Sequence, residues 1–378
     1  MVVRFCAAQQ LSGGFAIFFR WGRGDRWSSQ PGSISGEVMN TLRSLAAAAA
    51  LLLGGLLCAG VQAADKLPSF KVDATQTSVS GLSSGAFMAV QLQVAYSASI
   101  KGAGVVAGGP YYCAAGNMMY ASICMGQVTF LPPNPALMVS AAKRFAAARQ
   151  IDALSNLRKR RIYVFSGTQD SVVRQPAVDA TVAFFQQAGV PAANLAYVNK
   201  VPAGHAVITP SYGNDCPANA SPYISHCEVD GQGYDQSGAL LVHIYGPLQP
   251  KATSLSGRLV TFDQRAFAAP ITGMADEAFL YVPKSCDAGE TCKVHVAIHG
   301  CMQSAQSLGK DFVADTGYNE WAENNRLLVL YPQVDKSQLP FNPQGCWDWF
   351  GYTGGNYATQ SGLQMMAIKS MITALSKK

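Results

Sequence analysis

A five-residue junction restricts this chain more than any other feature. Thr75 to Ser80 is a β-type run that stops at glycine, Ala86 to Ala95 is rich in helix formers, and only Gly81-Leu82-Ser83-Ser84-Gly85 lies between them. So short a connection turns a strand directly into a helix and requires small residues where the backbones cross. The alternation continues along the chain. Strands are predicted at Val105 to Ala107, Arg161 to Ser166, Leu195 to Val201, Leu259 to Phe262, Ala278 to Val282, Lys293 to Ile298 and Leu327 to Tyr331. Helices are predicted at Pro135 to Gln150, Ile151 to Lys159, Ala177 to Ala188, Asp235 to Tyr245 and Ser361 to Leu375. This order defines the α/β class, a mostly parallel sheet with helices on both faces. In such sheets chemistry sits in the loops at the carboxyl ends of the strands. After Ala63 there is no Gly/Ser- or Pro-rich linker, repeat or long charge run, so residues 64–378 are expected to form one domain.

A hydrophobic fraction of 49% and only 13% charged residues suit a large buried core. Much of the formal charge of +6 belongs to four arginines in the first 38 residues and to Arg43. The remaining balance is too weak and too dispersed to point to nucleic acid or an acidic polymer as partner.

Residues 39–63, MNTLRSLAAAAALLLGGLLCAGVQA, have a basic start at Arg43, an Ala/Leu-rich apolar run and the small-residue ending Val61-Gln62-Ala63. That is the pattern of a signal peptide cut before Ala64, and it predicts a secreted protein with no stable membrane insertion after cleavage. A membrane anchor and lipid attachment at Cys58 are the alternatives; the apolar run is short for spanning and Leu57 is large for a lipidation site. Residues 1–38 mix Trp, Arg, Gly and Ser without a period and read as an extension from a mis-set start, translation beginning at Met39.

Eight cysteines follow the leader: Cys113, Cys124, Cys216, Cys227, Cys286, Cys292, Cys301 and Cys346. An even number in an exported chain favours disulfides, although eight thiols allow about 105 connectivities. Short loops suggest Cys113 with Cys124, Cys216 with Cys227 and Cys286 with Cys292, leaving Cys301 and Cys346. No pair has zinc-type C-x-x-C spacing and the five histidines are scattered, so neither a metal nor a cofactor is expected.

The junction itself has the form G-x-S-x-G, a weak pattern by its letters and a strong one between a strand and a helix. There the serine is forced outward, and the amides that start the helix face an oxygen that becomes negative. Serine needs a base, and the base an orienting carboxylate. The strand Arg161 to Ser166 leads through Gly167 to Asp170, and the strand Leu195 to Val201 leads to His205, which gives the order Ser83, Asp170, His205. A helix cap is the plainer role for Asp170. His226 stands beside Cys227, His243 on an apolar helix and His295 within a strand. His299 competes better, since His299-Gly300-Cys301 follows a strand; that turn form suits an oxyanion contributor, with the backbone N–H groups of Ser84 and Cys301 as donors and His299 shaping the turn. The turn precedes the nucleophile in most α/β-hydrolases and follows it here by more than two hundred residues. The chain therefore reads as a circularly permuted α/β-hydrolase.

Four segments carry a closer likeness: Val79-Ser-Gly-Leu-Ser-Ser-Gly-Ala-Phe-Met-Ala89, Ile244-Tyr-Gly-Pro-Leu248, His299-Gly-Cys-Met-Gln-Ser304 and Gly345-Cys-Trp-Asp-Trp349. Together, and in this order, the chain resembles the permuted branch of the poly(3-hydroxybutyrate) depolymerase family over nearly all of residues 64–378. The resemblance implies a triad of Ser83, Asp170 and His205, an oxyanion hole at Ser84 and Cys301, a Cys301–Cys346 bridge holding residues 347–352 against the cleft, and substrate contact by Trp347, with Trp349 in reserve. It implies a serine esterase cleaving a polyester or its oligomers through an acyl-enzyme. An esterase for soluble or polysaccharide-linked esters of feruloyl or acetyl type is the alternative, and a non-enzymatic binding protein on the same scaffold is a third reading. A separate polymer-binding domain, present in many extracellular members, is missing from the pattern; Tyr111, Tyr112, Trp347, Trp349 and Phe350 are the candidate aromatics for polymer contact.

Overall fold

The strand expected before the junction extends further than its letters suggest, as β1 (Val72–Leu82), and helix α1 (Ser84–Ala95) starts one residue after Ser83. In the computed structural model, which describes residues 65–376, β1 lies in the middle of an eight-stranded sheet. The expected leader and the stretch before it lie outside the described residues. The chain first builds outward from β1 through β2 (Ile100–Val106), β3 (Arg161–Phe165) and β4 (Leu195–Val198). It then crosses to the far edge for β5 (Arg258–Asp263) and β6 (Glu277–Val282), and returns through β7 (Cys292–Ile298) and β8 (Leu327–Tyr331). The spatial order is β5-β6-β8-β7-β1-β2-β3-β4. Only β6 runs against the rest, pairing antiparallel with both β5 and β8.

The two halves meet at the β1–β7 seam, in register from Thr77 opposite Val294 to Gly81 opposite Ile298. This seam is what permutation means physically: the central strand pair joins segments far apart in the chain. The described ends close on each other, the Phe70 amide donating to the Leu375 carbonyl at 2.7 Å. β1, β7 and β8 read as nearly continuous apolar or small runs because they are covered on both faces. α1 and the closing helix α6 (Leu363–Leu375) cover one face. α4 (Gln236–Tyr245) and α5 (Tyr318–Asn325) lie side by side on the other, with Gly238 of α4 against the Trp321 ring. α2 (Pro135–Ala147) and α3 (Gln175–Gln187) pack together, α3 also against β3.

Several expectations differ from the structure, and the strand expected at Val105 to Ala107 already begins at Ile100. Ile151 to Lys159 is a loop followed by a 3-10 turn at Leu154–Lys159, because Asp152 is occupied in taking the Ala98 amide at 2.7 Å. β4 stops at Val198, and the next residues become the loop that carries His205. α5, and a small sheet of Val207–Thr209, Ile224–His226 and Asn214–Asp215, have no clear sequence pattern; α5 is polar on average, and three-residue strands fall below any readable period. The cysteines pair as Cys113–Cys124, Cys216–Cys227, Cys286–Cys292 and Cys301–Cys346.

Candidate active site

Ser83 occupies the sharp turn between β1 and α1 at φ 58° and ψ −124°, a region that costs a non-glycine residue about 1–3 kcal/mol. The turn is held from both sides. The Ser83 amide donates to Val106 of β2 at 3.0 Å, and its carbonyl accepts the Ala86 and Phe87 amides at 2.9 and 3.0 Å. The flanking glycines allow the close approach. A Cβ on Gly81 would sit 2.4 Å from the Gly85 carbonyl, and one on Gly85 would sit 2.3 Å from the carbonyl oxygens of Ile298 and His299. Backbone cannot give way there, so the helix is pressed onto the β1–β7 seam with Ser83 at its head.

Asp170 and His205 come from the loops after β3 and β4, neighbouring parallel strands whose loops stay joined. Thr168 and Gln169 donate backbone bonds to Val201 and Ala203 at 2.9 and 3.0 Å. The Asp170 carboxylate is wholly buried, and its two oxygens are divided. Oδ1 accepts the amides of Val172 and Val173, each at 2.9 Å, while Oδ2 accepts the hydrogen bond donated by the His205 Nδ1–H at 2.8 Å. A carboxylate held this way fixes the imidazole tautomer and leaves Nε2 as the acceptor. Ser83 and His205 both line one cleft of about 230 Å³.

His299 is a different kind of histidine. Its ring is fully buried, Nε2 accepts the Val334 amide at 3.1 Å, and Nδ1 therefore carries the proton and donates to the Gly300 carbonyl at 2.7 Å. Burial pushes its pKa down to about 4, so at neutral pH it is an uncharged brace for the turn. The Gly300 amide is taken by the Gln303 side chain at 2.7 Å, and Gln303 in turn donates to the carbonyls of Pro222 and Tyr223 at 2.9 and 3.1 Å. Cys301 follows beside the cleft, bridged to Cys346, and Ser84 lines the same cleft at the start of α1, its hydroxyl accepting the Trp347 amide at 3.3 Å. The amides of residues 84 and 301 thus belong to two rigid elements that flank the serine.

Trp347 does not reach the cleft. It is completely buried next to the bridged Cys346, its ring 5.5 Å from that of His299. The cleft wall is formed by the reserve candidate Trp349, stacked on Phe87 at 4.3 Å between ring centres, together with Phe350. Tyr111 is buried too, its hydroxyl donating to Ala358 at 2.8 Å. Exposed apolar side chains instead include the run Met118, Met119, Tyr120, Phe130, Leu131 and Leu137, besides Ile271, Leu339 and Phe341 elsewhere, and Met118 also lines the cleft. Sequence reasoning passed over these residues, and over Gln303 and Asn219. Gln303 had a signal, standing three residues after a turn amide that needs an acceptor; Asn219, in a loop remote in sequence from both strands, had none.

A mostly parallel sheet, a serine on a strained strand–helix turn and a carboxylate-backed imidazole at the neighbouring strand ends together define an α/β-hydrolase with a site of serine-hydrolase type. No family model matches the chain. It is 44% identical over 343 residues to "Poly(3-hydroxybutyrate) depolymerase" of Delftia acidovorans, a match covering 89% of this chain and 66% of that longer protein. It is 40% identical over 330 residues to "Polyhydroxybutyrate depolymerase" of Talaromyces funiculosus, covering 82% of this chain and 92% of the relative. Among solved structures, the PHB depolymerase from Penicillium funiculosum superimposes with a TM-score of 0.73 at 36% identity, covering 82% of this chain and 98% of that one. A serine-to-alanine PHB depolymerase complexed with R3HB trimer gives 0.74 at 37% identity, with the same coverage. The chain belongs to the poly(3-hydroxybutyrate) depolymerase family of serine ester hydrolases.

Proposed function

We propose that this protein hydrolyses poly(3-hydroxybutyrate) or its oligomers through an acyl-enzyme on Ser83. The observation that carries the reading is the divided Asp170 carboxylate: one oxygen is anchored on two amides and the other holds His205 beside the serine cleft. His205 Nε2 takes the hydroxyl proton as Ser83 Oγ attacks the ester carbonyl. Asp170 stabilises the imidazolium that forms, and the imidazolium then protonates the departing alkoxide. The amides of Ser84 and Cys301 receive the oxyanion, about 3–4 kcal/mol each by comparison with other hydrolases. Water, activated by the same imidazole, releases a hydroxyacid or short oligomer and restores Ser83. The apolar walls, Phe87, Trp349, Phe350, Met125 and Val172 among them, suit a methyl-bearing aliphatic ester.

Of the exposed apolar residues from Met118 to Leu137, Met118 lines the cleft and Tyr120, Leu131 and Leu137 line a second groove; in this reading they serve as the contact with a polymer surface. Residues 39–63 act as an export leader, which agrees with the four bridges. No helix among the described residues is long and apolar enough to cross a membrane. The test is product analysis on amorphous and crystalline poly(3-hydroxybutyrate) and on a soluble ester, with Ser83→Ala as control. Release of hydroxyacids from polymer by the wild type and none by Ser83→Ala is expected; turnover confined to the soluble ester would overturn the substrate. N-terminal sequencing of the exported protein checks the start at residue 64.

A further inference from the structure

Resting on the triad reading above, we infer that Asn219 is a positioning residue that sets the base and the acid as one unit. Its side-chain amide is fully used, and three of its four bonds go to the two catalytic loops. Oδ1 accepts the backbone amide of His205 itself at 2.9 Å and that of Ser171, the residue after Asp170, at 3.0 Å. Nδ2 donates to the carbonyl of Gln169, the residue before Asp170, at 3.0 Å, and to Pro217 at 3.1 Å. One planar group therefore clasps the backbone on both sides of the acid and at the base. A side-chain amide offers two donors and two acceptor sites, so this arrangement saturates it.

The clasp is carried on a loop that is itself anchored. Cys216 is bridged to Cys227, and its carbonyl accepts the Gly204 amide at 2.8 Å. Gly204 is pressed so closely that a Cβ there would lie 2.1 Å from the Ala218 carbonyl oxygen. The base loop is thus sandwiched between the acid loop and the 216–219 turn, with Asn219 joining the three. The Asp170–His205 bond fixes the direction of the imidazole, while the bond from Oδ1 to the His205 amide fixes where its backbone stands relative to Ser83.

The test uses the full chain, and separates geometry from folding by counting active sites. Wild type, Asn219→Ala, Asn219→Asp and Asn214→Ala are titrated to end point with a serine-reactive phosphonate, melted, and assayed for kcat and KM on a soluble ester. Asn214 serves as the loop control, since its amide bonds only Ala220 and Ser221 of the same turn. In Asn219→Ala, kcat per titrated site is expected to fall about 10- to 100-fold, the cost of a base misplaced by about an ångström, with KM within about twofold. Asn219→Asp keeps the oxygen that accepts the His205 and Ser171 amides but sets a second oxygen against the Gln169 and Pro217 carbonyls, so it too loses turnover per site; Asn214→Ala keeps wild-type turnover per site. A variant that merely destabilises the fold lowers the melting point and the titratable fraction but not the turnover per site. Unchanged per-site kcat in Asn219→Ala overturns the proposal while leaving the triad standing. If Ser83→Ala retains activity, the triad itself falls.

Discussion

Replacing Asp170 by Asn tests how the imidazole is oriented, and the structure dictates which way the new amide must face. Oδ1 accepts two backbone N–H groups, from Val172 and Val173, so in Asp170→Asn that place can be filled only by the amide oxygen. The NH2 group is then forced onto His205 Nδ1, 2.8 Å away, where an N–H cannot meet another N–H. The ring must take the opposite tautomer, with the proton on Nε2 facing Ser83, and an imidazole in that state has no lone pair for the serine proton. The analogous change in a well-studied serine protease lowers kcat about 10⁴-fold with the geometry intact, equivalent to about 5.5 kcal/mol of barrier. A loss of that order is expected here, in kcat rather than KM, because Asp170 lies behind the imidazole and does not line the cleft. Steady-state turnover of a soluble ester and the labelling rate by a phosphonate give the two magnitudes, and ring nitrogen chemical shifts report the tautomer directly. A loss of less than about a hundredfold, or a Nδ1-protonated ring in the variant, would refute the reasoning.

Three other outcomes are expected. Serine in place of Phe130 and Met119, exposed by 89% and 84%, should slow clearance of a polymer film severalfold and leave soluble-ester turnover unchanged; parallel losses on both substrates would remove the surface role. His295 and His299 are buried and neutral, with burial pushing their pKa down to about 3 and about 4 against about 6.5 for an unfolded histidine. Because only the unfolded chain binds these protons, each group's contribution is fully present above pH 6.5 and is lost as pH falls toward 4 and then 3, by up to about 1.4 kcal/mol per pH unit. Melting curves across that range should show the loss, and a smaller one in His295→Gln. The Cys301–Cys346 bridge closes 45 residues, worth about 4 kcal/mol by loop entropy. Serine at both positions should lower the melting point and kcat together; unchanged turnover would show that the oxyanion turn stands without it.

The strand–helix alternation, with its switch at Gly81 to Gly85, was readable because it is local: periods of two and 3.6 and a glycine at the crossing are written in adjacent letters. The placing of Ser83, Asp170 and His205 past strand ends was readable for the same reason, since parallel strands deliver their loops to one edge. What could not be read depends on contacts remote in sequence. Trp347 and Trp349 are two residues apart in a non-helical loop, and which of them faces the cleft depends on how that loop is tied to Cys301, Ser84 and Gln364, all distant in sequence. Met118, inside the Cys113–Cys124 loop, and Phe130, in the turn after it, look like core residues by composition and are exposed. Asn219 acquires its part only when the turn after Cys216 folds back on two loops that precede it.

The β1–β7 seam also sets an order of assembly. Ser83 is made early, and the strand beside it and the turn at His299 to Cys301 come more than two hundred residues later, tens of seconds behind at about 5–20 residues per second. Until β7 arrives, β1 is an unpaired edge, and the strained serine turn lacks the carbonyls of Ile298 and His299 that press on Gly85. The emerging chain therefore holds a nucleophile with no cradle for the anion it would generate. Reactivity comes only with the last third of the polypeptide, when β7 closes the centre of the sheet against β1.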